Sequence, residues 1–363
     1  MIGKVLILGG YGNFGKLIAR ALVKHNVPVI IAGRNRKKAH AFARTLPESL
    51  AAAAVLDIAS GFANQLKLLR PAVVINTCGP FQTSNYDAAR ICIEHKVHYI
   101  DLADGRDFVT GITTLNEAAQ AQQITVISGA STVPGLSSAV IEHYQHEFAE
   151  IDSLVFGISP GQKAERGLAT TQSILTYVGK PLKPFAGAAK PVYGWQDIYR
   201  QEYPELGKRW MANCDIPDLD LLPAHYGIRS IRFSAGLELS FMHLGLWLLS
   251  WAVRLGAPLH LPRHAAMLLA ASNWFNRFGT AHGGMHMILR GRDRDGKTHE
   301  RRWFIIAKDG DGPQIPTIPA IILAKKLVNN RLDCYGATPC VGMVTLDEYL
   351  SELKGFSTVT YSV

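Results

Sequence analysis

Apolar runs of strand length alternate with helically spaced stretches through the first third of the chain. Residues 1–9 form one such run, and residues 16–24 follow with apolar positions three and four apart. Residues 27–32 are a second apolar run. Residues 51–56, 72–76, 97–102 and 125–128 continue the series, with helices predicted at 86–95 and 116–122. Six strands separated by helices predict a doubly wound parallel sheet, an α/β Rossmann-type domain over residues 1–135. From residue 136 the rhythm changes. A helix at 136–148 precedes strands at 153–159, 230–234, 285–289 and 303–307, the last two joined across an Asp295-Gly296 hairpin turn. This predicts a mostly antiparallel α+β domain over residues 136–314. Helices at 320–329 and 346–353 are expected to return, so that residues 315–363 pack on the first domain.

Between the first strand and the first helix stands Gly10-Tyr11-Gly12-Asn13-Phe14-Gly15. A G-x-G-x-x-G between a strand and a helix, opening an α/β pattern, predicts a dinucleotide site. Gly10 allows the tight turn, Gly12 lets the backbone approach a pyrophosphate, and Gly15 lets the helix pack closely on the strand. Asn13, Phe14 and Gly15 place their N–H groups at the positive end of that helix, where a diphosphate binds. The alternative is a plain glycine-rich turn.

The end of the second strand selects the nucleotide. It reads Gly33-Arg34-Asn35-Arg36-Lys37-Lys38, where an NAD site carries an acid for the ribose 2′-OH. No acid is near. A guanidinium grips a 2′-phosphate through two N–H groups and stacks on adenine. The sequence therefore predicts NADP, with Arg34 and Asn35 at the 2′-phosphate and Arg36 or Lys37 supporting. The alternative is a solvated basic helix start.

At 363 residues, 48% hydrophobic and 18% charged, the chain has the composition of a soluble two-domain protein. Its five cysteines are scattered without C-x-x-C spacing, so neither a disulfide framework nor a metal site is expected. No signal peptide is read at the start, and a reducing cytoplasm is the expected compartment. The net charge of +9 is dispersed apart from residues 34–38 and 290–302, and no nucleic-acid partner is expected. Residues 241–255 are strongly apolar but too short to span a bilayer. They predict a buried or dimer-interface helix, with a membrane-surface helix or lid as the alternative. The apolar content of residues 236–275 predicts a homodimer.

Further segments extend the pattern: Ala32-Gly33-Arg34, residues 74–81, Tyr99-Ile100-Asp101-Leu102, residues 129–136, Asp311-Gly312-Pro313 and residues 336–342. Together with the glycine loop they resemble the saccharopine dehydrogenase family of NADP-linked oxidoreductases. The resemblance implies NADP binding by the first domain. It also implies hydride transfer to an imine, or from a secondary amine, of a small carboxylated substrate. On that reading residues 76–81, with Gly79, Pro80 and Phe81 following the fourth strand, are a backbone shelf for the nicotinamide half, and Cys78 is a small buried side chain under the cofactor. Asp57 accepts from the adenine amino group or is a simple helix cap after the strand. Asp104 is the candidate for orienting or deprotonating the amine, and Asp101 reads as structural. In the second domain Arg166 or Lys163 clamps a substrate carboxylate, His282 is an acid–base candidate, and Thr170 reads as a helix N-cap. Two other functions are open: a reductase for a lipid-like substrate, and a non-catalytic NADP(H)-binding sensor or scaffold.

Overall fold

The computed structural model describes residues 3–332 and 334–363, so Met1 and Ile2 of the predicted first strand lie outside the described residues. The chain divides into two compact units, Met1–Ala139 with Gln314–Glu352, and Val140–Pro313 with Leu353–Val363. In chain order the first unit contains β1 (Val5–Leu8), α1 (Asn13–Lys24), β2 (Val29–Gly33), α2 (Arg36–Ala43), β3 (Ala51–Val55), α3 (Phe62–Leu69), β4 (Val73–Asn76), α4 (Asp87–Glu94), β5 (His98–Asp101), α5 (Arg106–Thr110), α6 (Asn116–Ala121) and β6 (Thr125–Ser128). The unit boundary falls within α7 (Ser137–Tyr144). The second unit follows with β7 (Glu150–Ser159), α8 (Leu168–Tyr177), β8 (Tyr199–Tyr203), β9 (Gly207–Asn213), α9 (Asp218–Tyr226), β10 (Ser230–Ala235), α10 (Ser240–Arg254), α11 (Ala265–Asn273), β11 (Gly283–Arg292) and β12 (Thr298–Ala307). The chain then returns to the first unit as α12 (Ile318–Val328), β13 (Gly336–Pro339) and α13 (Leu346–Glu352), and ends in the second as β14 (Thr358–Ser362).

The first sheet has the order β13-β6-β5-β4-β1-β2-β3, and all its pairs are parallel. Every residue of β1, β4 and β6 is buried, as a parallel sheet covered on both faces requires. α1 buries Gly15, Ile18, Ala19, Leu22 and Val23, the spacing of one helix face. Strand order reverses between β1 and β4, so the loops after these two strands open at the same carboxyl edge. The seventh strand was not legible. β13 is four residues long, begins with Gly and ends with Pro, and takes its place only by pairing with β6.

The second sheet has the order β14-β12-β11-β7-β10-β9-β8, and only its β7–β10 pair is parallel. Three expectations change here. Residues 315–363 do not all return to the first unit: β14 pairs with the open edge of β12. The β8–β9 hairpin lies in a polar stretch whose composition gave no strand signal. Thr170 is not an N-cap; α8 starts at Leu168 behind Gly167, whose extended backbone (φ −78°, ψ 149°) ends the loop. The apolar helix α10 is buried on one face only. Leu246, Leu249 and Val253 pack on the cluster around Trp195 and Leu175, while Phe241, Leu248 and Trp251 are exposed. No helix among the described residues is long and apolar enough to cross a membrane.

Candidate functional site

The loop after β1 turns at Gly9, whose φ of +73° falls in the left-handed region. The Gly10 N–H donates to the Ala32 carbonyl at 3.0 Å, and the Gly12 N–H to the Gly9 carbonyl at 2.8 Å. A Cβ on Gly15 would land on the Gly9 carbonyl and within 2.7 Å of the Gly10 Cα, so α1 packs on the loop only with glycine there. Gly12 is the reverse case. A Cβ there would meet only the Gly9 oxygen, at 3.1 Å, and would otherwise project into open space. α1 has Gly12 at its N-cap, no side-chain cap and no acid in its first turn. The N–H groups of Asn13, Phe14 and Gly15 have no intrahelical acceptor at this end of a helix. Open space over uncapped N–H groups fits a diphosphate.

A second anion-seeking end lies beside it. The Asn35 Oδ1 caps α2 by accepting from the Lys38 N–H at 3.0 Å. The first turn then carries Arg36, Lys37 and Lys38 and no acid, with Arg34 just before. Cations at the positive end of a helix are unfavourable by themselves. All four are exposed, and none forms an ion pair among the described residues. Tyr11, which sequence reading passed over, completes this corner. Its ring covers Gly33, where a Cβ would collide with it, and its Oη accepts from the Asn35 N–H at 3.0 Å. The only signal was an aromatic inside a glycine loop. Asn35, predicted at the 2′-phosphate, thus has its Oδ1 and its N–H already engaged.

The remaining edge residues are held locally. Asp57 is exposed after β3 and accepts from the Ala59 N–H at 3.1 Å; it does not cap the following helix, whose N-cap is Gly61. Cys78 is exposed, not buried as expected. Its Sγ lies 3.1 Å from where a Cβ on Gly9 would sit. The surrounding protein pushes the thiol up to about 11, with Arg34 opposing and Asp57 adding to the rise. It is therefore protonated at neutral pH and a poor nucleophile. The Asn76 Oδ1 accepts from the Cys78 N–H at 3.0 Å and fixes the start of the Gly79-Pro80-Phe81 ledge. Phe81 packs on Phe108 at 5.3 Å, and Gly105 lets the next loop lie close against the Phe81–Gln82 backbone. Gln82 donates to the Asp104 carboxylate at 3.0 Å, while burial raises the pKa of Asp104. Asp101 is fully buried and structural. It accepts from the Ser128 hydroxyl and from the N–H groups of Ala103 and Gly129, and burial pushes it up to about 6.

In the second unit Arg166 and His282 are each tied to the turn at residues 161–162. The turn at Gly161 packs on the backbone of Ala281 and His282. One Arg166 nitrogen donates to the Gln162 carbonyl at 2.8 Å, while its Nε is buried without a partner, as is the His282 Nδ1. Lys163, the alternative clamp, is exposed. The corner is braced by groups that sequence reading did not single out. Arg209 donates to the Ser159 and His282 carbonyls, and Glu238 accepts from the Gln162 and Thr280 N–H groups. Arg209 and Glu238 stand 3.7 Å apart. Asp104 belongs to the first unit.

The saccharopine dehydrogenase NADP binding domain family matches residues 5–127. Among solved structures, the apo saccharopine dehydrogenase (L-Glu forming) of Saccharomyces cerevisiae superposes with a TM-score of 0.66 at 14% identity, covering 99% of this chain and 100% of that chain. An amine dehydrogenase of Mycobacterium smegmatis gives a TM-score of 0.46 at 12% identity, over 94% of this chain and 95% of that one. Residues 5–127 thus match the NADP-binding domain of the saccharopine dehydrogenase family, which supports NAD(P) binding there, and the chain as a whole shares the fold of a saccharopine dehydrogenase.

Proposed function

We propose that the protein is an NADP-dependent oxidoreductase acting on a carbon–nitrogen bond, reducing an imine or oxidising a secondary amine of a small carboxylated substrate. The first turn of α2 carries the cofactor half of this reading. Arg36, Lys37 and Lys38, with Arg34 before them, crowd the positive end of a helix with no acid to balance them, which favours a bound phosphate. Arg34 and Arg36 hold the 2′-phosphate, and the N–H groups at the start of α1 hold the diphosphate. When bound, the nicotinamide supplies or accepts a hydride.

The substrate half rests on orphaned groups. A buried guanidinium N–H without an acceptor is unfavourable until one arrives, and a carboxylate meets a guanidinium through two such bonds. Arg166 is therefore the carboxylate clamp. His282 exchanges a proton through its partnerless Nδ1. The raised pKa of Asp104 makes it a better base for the amine than an exposed carboxylate.

Titration with NADPH and NADH, repeated on Arg34→Asp, tests the cofactor half. Tight NADPH binding, weak NADH binding and loss of that preference in the variant are expected; binding of neither nucleotide sinks the reading. Turnover on imine and amine panels tests the substrate half, with Arg166→Gln raising KM more than it lowers kcat. NADPH binding with no turnover on any panel would leave the sensor alternative standing.

A further inference from the structure

The second unit keeps an apolar face that its own core does not use. Along α10 the exposed stripe runs Phe241, Gly245 and Leu248 and continues into Leu255 just after the helix, with Trp251 beside it, opposite the buried His243 and Ser250. Along α11 the exposed positions are Ala266, Met267, Ala270 and Ala271, continuing into Trp274. The two stripes are joined where the Phe241 and Phe275 rings meet at 5.1 Å. Exposure is extreme for such side chains: Trp274 is 82% exposed, Leu255 81% and Met267 62%. A contiguous face of this kind marks an interaction surface.

Its charge decides the partner. From residue 239 to 292 there is no Asp or Glu, while Arg254, Arg263 and Arg277 punctuate the apolar segment. Arg254 lies over the Trp251 ring at 4.9 Å, and Arg277 over Phe278 at 4.7 Å. Next to the face is a cavity of about 160 Å³, lined by Leu175, Val253, Leu259 and Leu261, with Lys180 and Arg263 also in its wall. An isologous contact between two copies would set cation against cation with no acid in the segment to answer it. Tryptophan and arginine over exposed aliphatic side chains match the boundary between acyl chains and anionic headgroups.

We propose that the outer face of α10 and α11 docks this protein on the surface of an anionic bilayer, with Leu255, Met267 and Trp274 entering the acyl boundary and the arginines contacting headgroup phosphates. The face is a surface anchor, since no helix among the described residues is long and apolar enough to cross. This inference is independent of the substrate reading.

The test is co-sedimentation of the full chain with vesicles of phosphatidylcholine alone or of equal phosphatidylcholine and phosphatidylglycerol. Binding to the anionic vesicles is expected to be roughly 100-fold tighter, about 1 kcal/mol for each of three arginines, and to weaken with salt. Leu255→Glu with Trp274→Glu should abolish sedimentation. NADPH titration and circular dichroism of that variant confirm that it is folded. Three results would overturn the proposal: no sedimentation with anionic vesicles, sedimentation unchanged in the variant, or equal binding to both vesicle types. A dimer in light scattering that becomes a monomer in the variant would also overturn it and assign the face to self-association.

Discussion

Reversing the charge at the start of α2 should move stability and cofactor affinity in opposite directions. Arg36 is the first residue of α2, exposed and without an ion-pair partner, at the helix's positive end. One charge there shifts stability by roughly 0.3–1 kcal/mol, so Arg36→Glu, which removes a cation and installs an anion, should gain roughly twice that. For a unit of this size the melting temperature rises about 2–4 °C per kcal/mol. The gain should shrink in 1 M salt, where the Debye length is about 3 Å. The same substitution removes a charge-assisted contact to the 2′-phosphate, a loss of roughly 1.5–3 kcal/mol, or about 10- to 150-fold in NADPH affinity. NADH lacks that phosphate, and its Kd should stay within about twofold. Thermal melts of the apo protein and fluorescence titrations with both nucleotides give the two readouts. A variant less stable than wild type, or one that loses NADPH and NADH equally, would refute the argument that function placed these cations against the helix dipole.

The two loop glycines should separate packing from binding. Gly15→Ala drives a Cβ into the loop backbone and should destabilise by about 1–3 kcal/mol, read as a lower urea midpoint. Gly12→Ala meets only the Gly9 oxygen, at 3.1 Å, and should lower that midpoint much less than Gly15→Ala while weakening both nucleotides; similar midpoints for the two variants would contradict the geometry. Burial holds His243 down at about 4 and His286 at about 3, below the ordinary value near 6.5. A folded-state pKa below the unfolded one gives stability that is complete above pH 6.5 and lost as pH falls toward the folded value. At pH 4 each histidine should have removed about 3 kcal/mol. His243→Asn keeps an acceptor for the Leu237 N–H at 3.3 Å, and should flatten the loss of stability between pH 7 and pH 4; a parallel pH profile would count against this assignment.

The sequence was most legible where one local physical requirement dominates. The apolar runs that became β1, β4 and β6 are buried on both faces, so their composition alone identified them. The glycine spacing identified the loop because a tight turn at Gly9 and the helix contact at Gly15 each exclude a side chain there. Arg34 and its basic neighbours stood out because no acid accompanies them. Elements set by partners rather than by their own pattern were missed. β8 and β9 are polar strands that exist through each other, and β14 follows from the open edge of β12.

By itself, then, the sequence determined the parallel α/β domain, the dinucleotide loop and the basic end of the second strand, because each rests on contacts close in the chain. Only the tertiary structure decided that Tyr11 covers Gly33, that the turn at Gly161 packs on the His282 backbone, and that Arg166 reaches the Gln162 carbonyl next to that turn. It alone showed that α10 has a second apolar face left outside. These depend on which residues distant in sequence fill the space around a side chain, and periodicity along one segment carries no information about that.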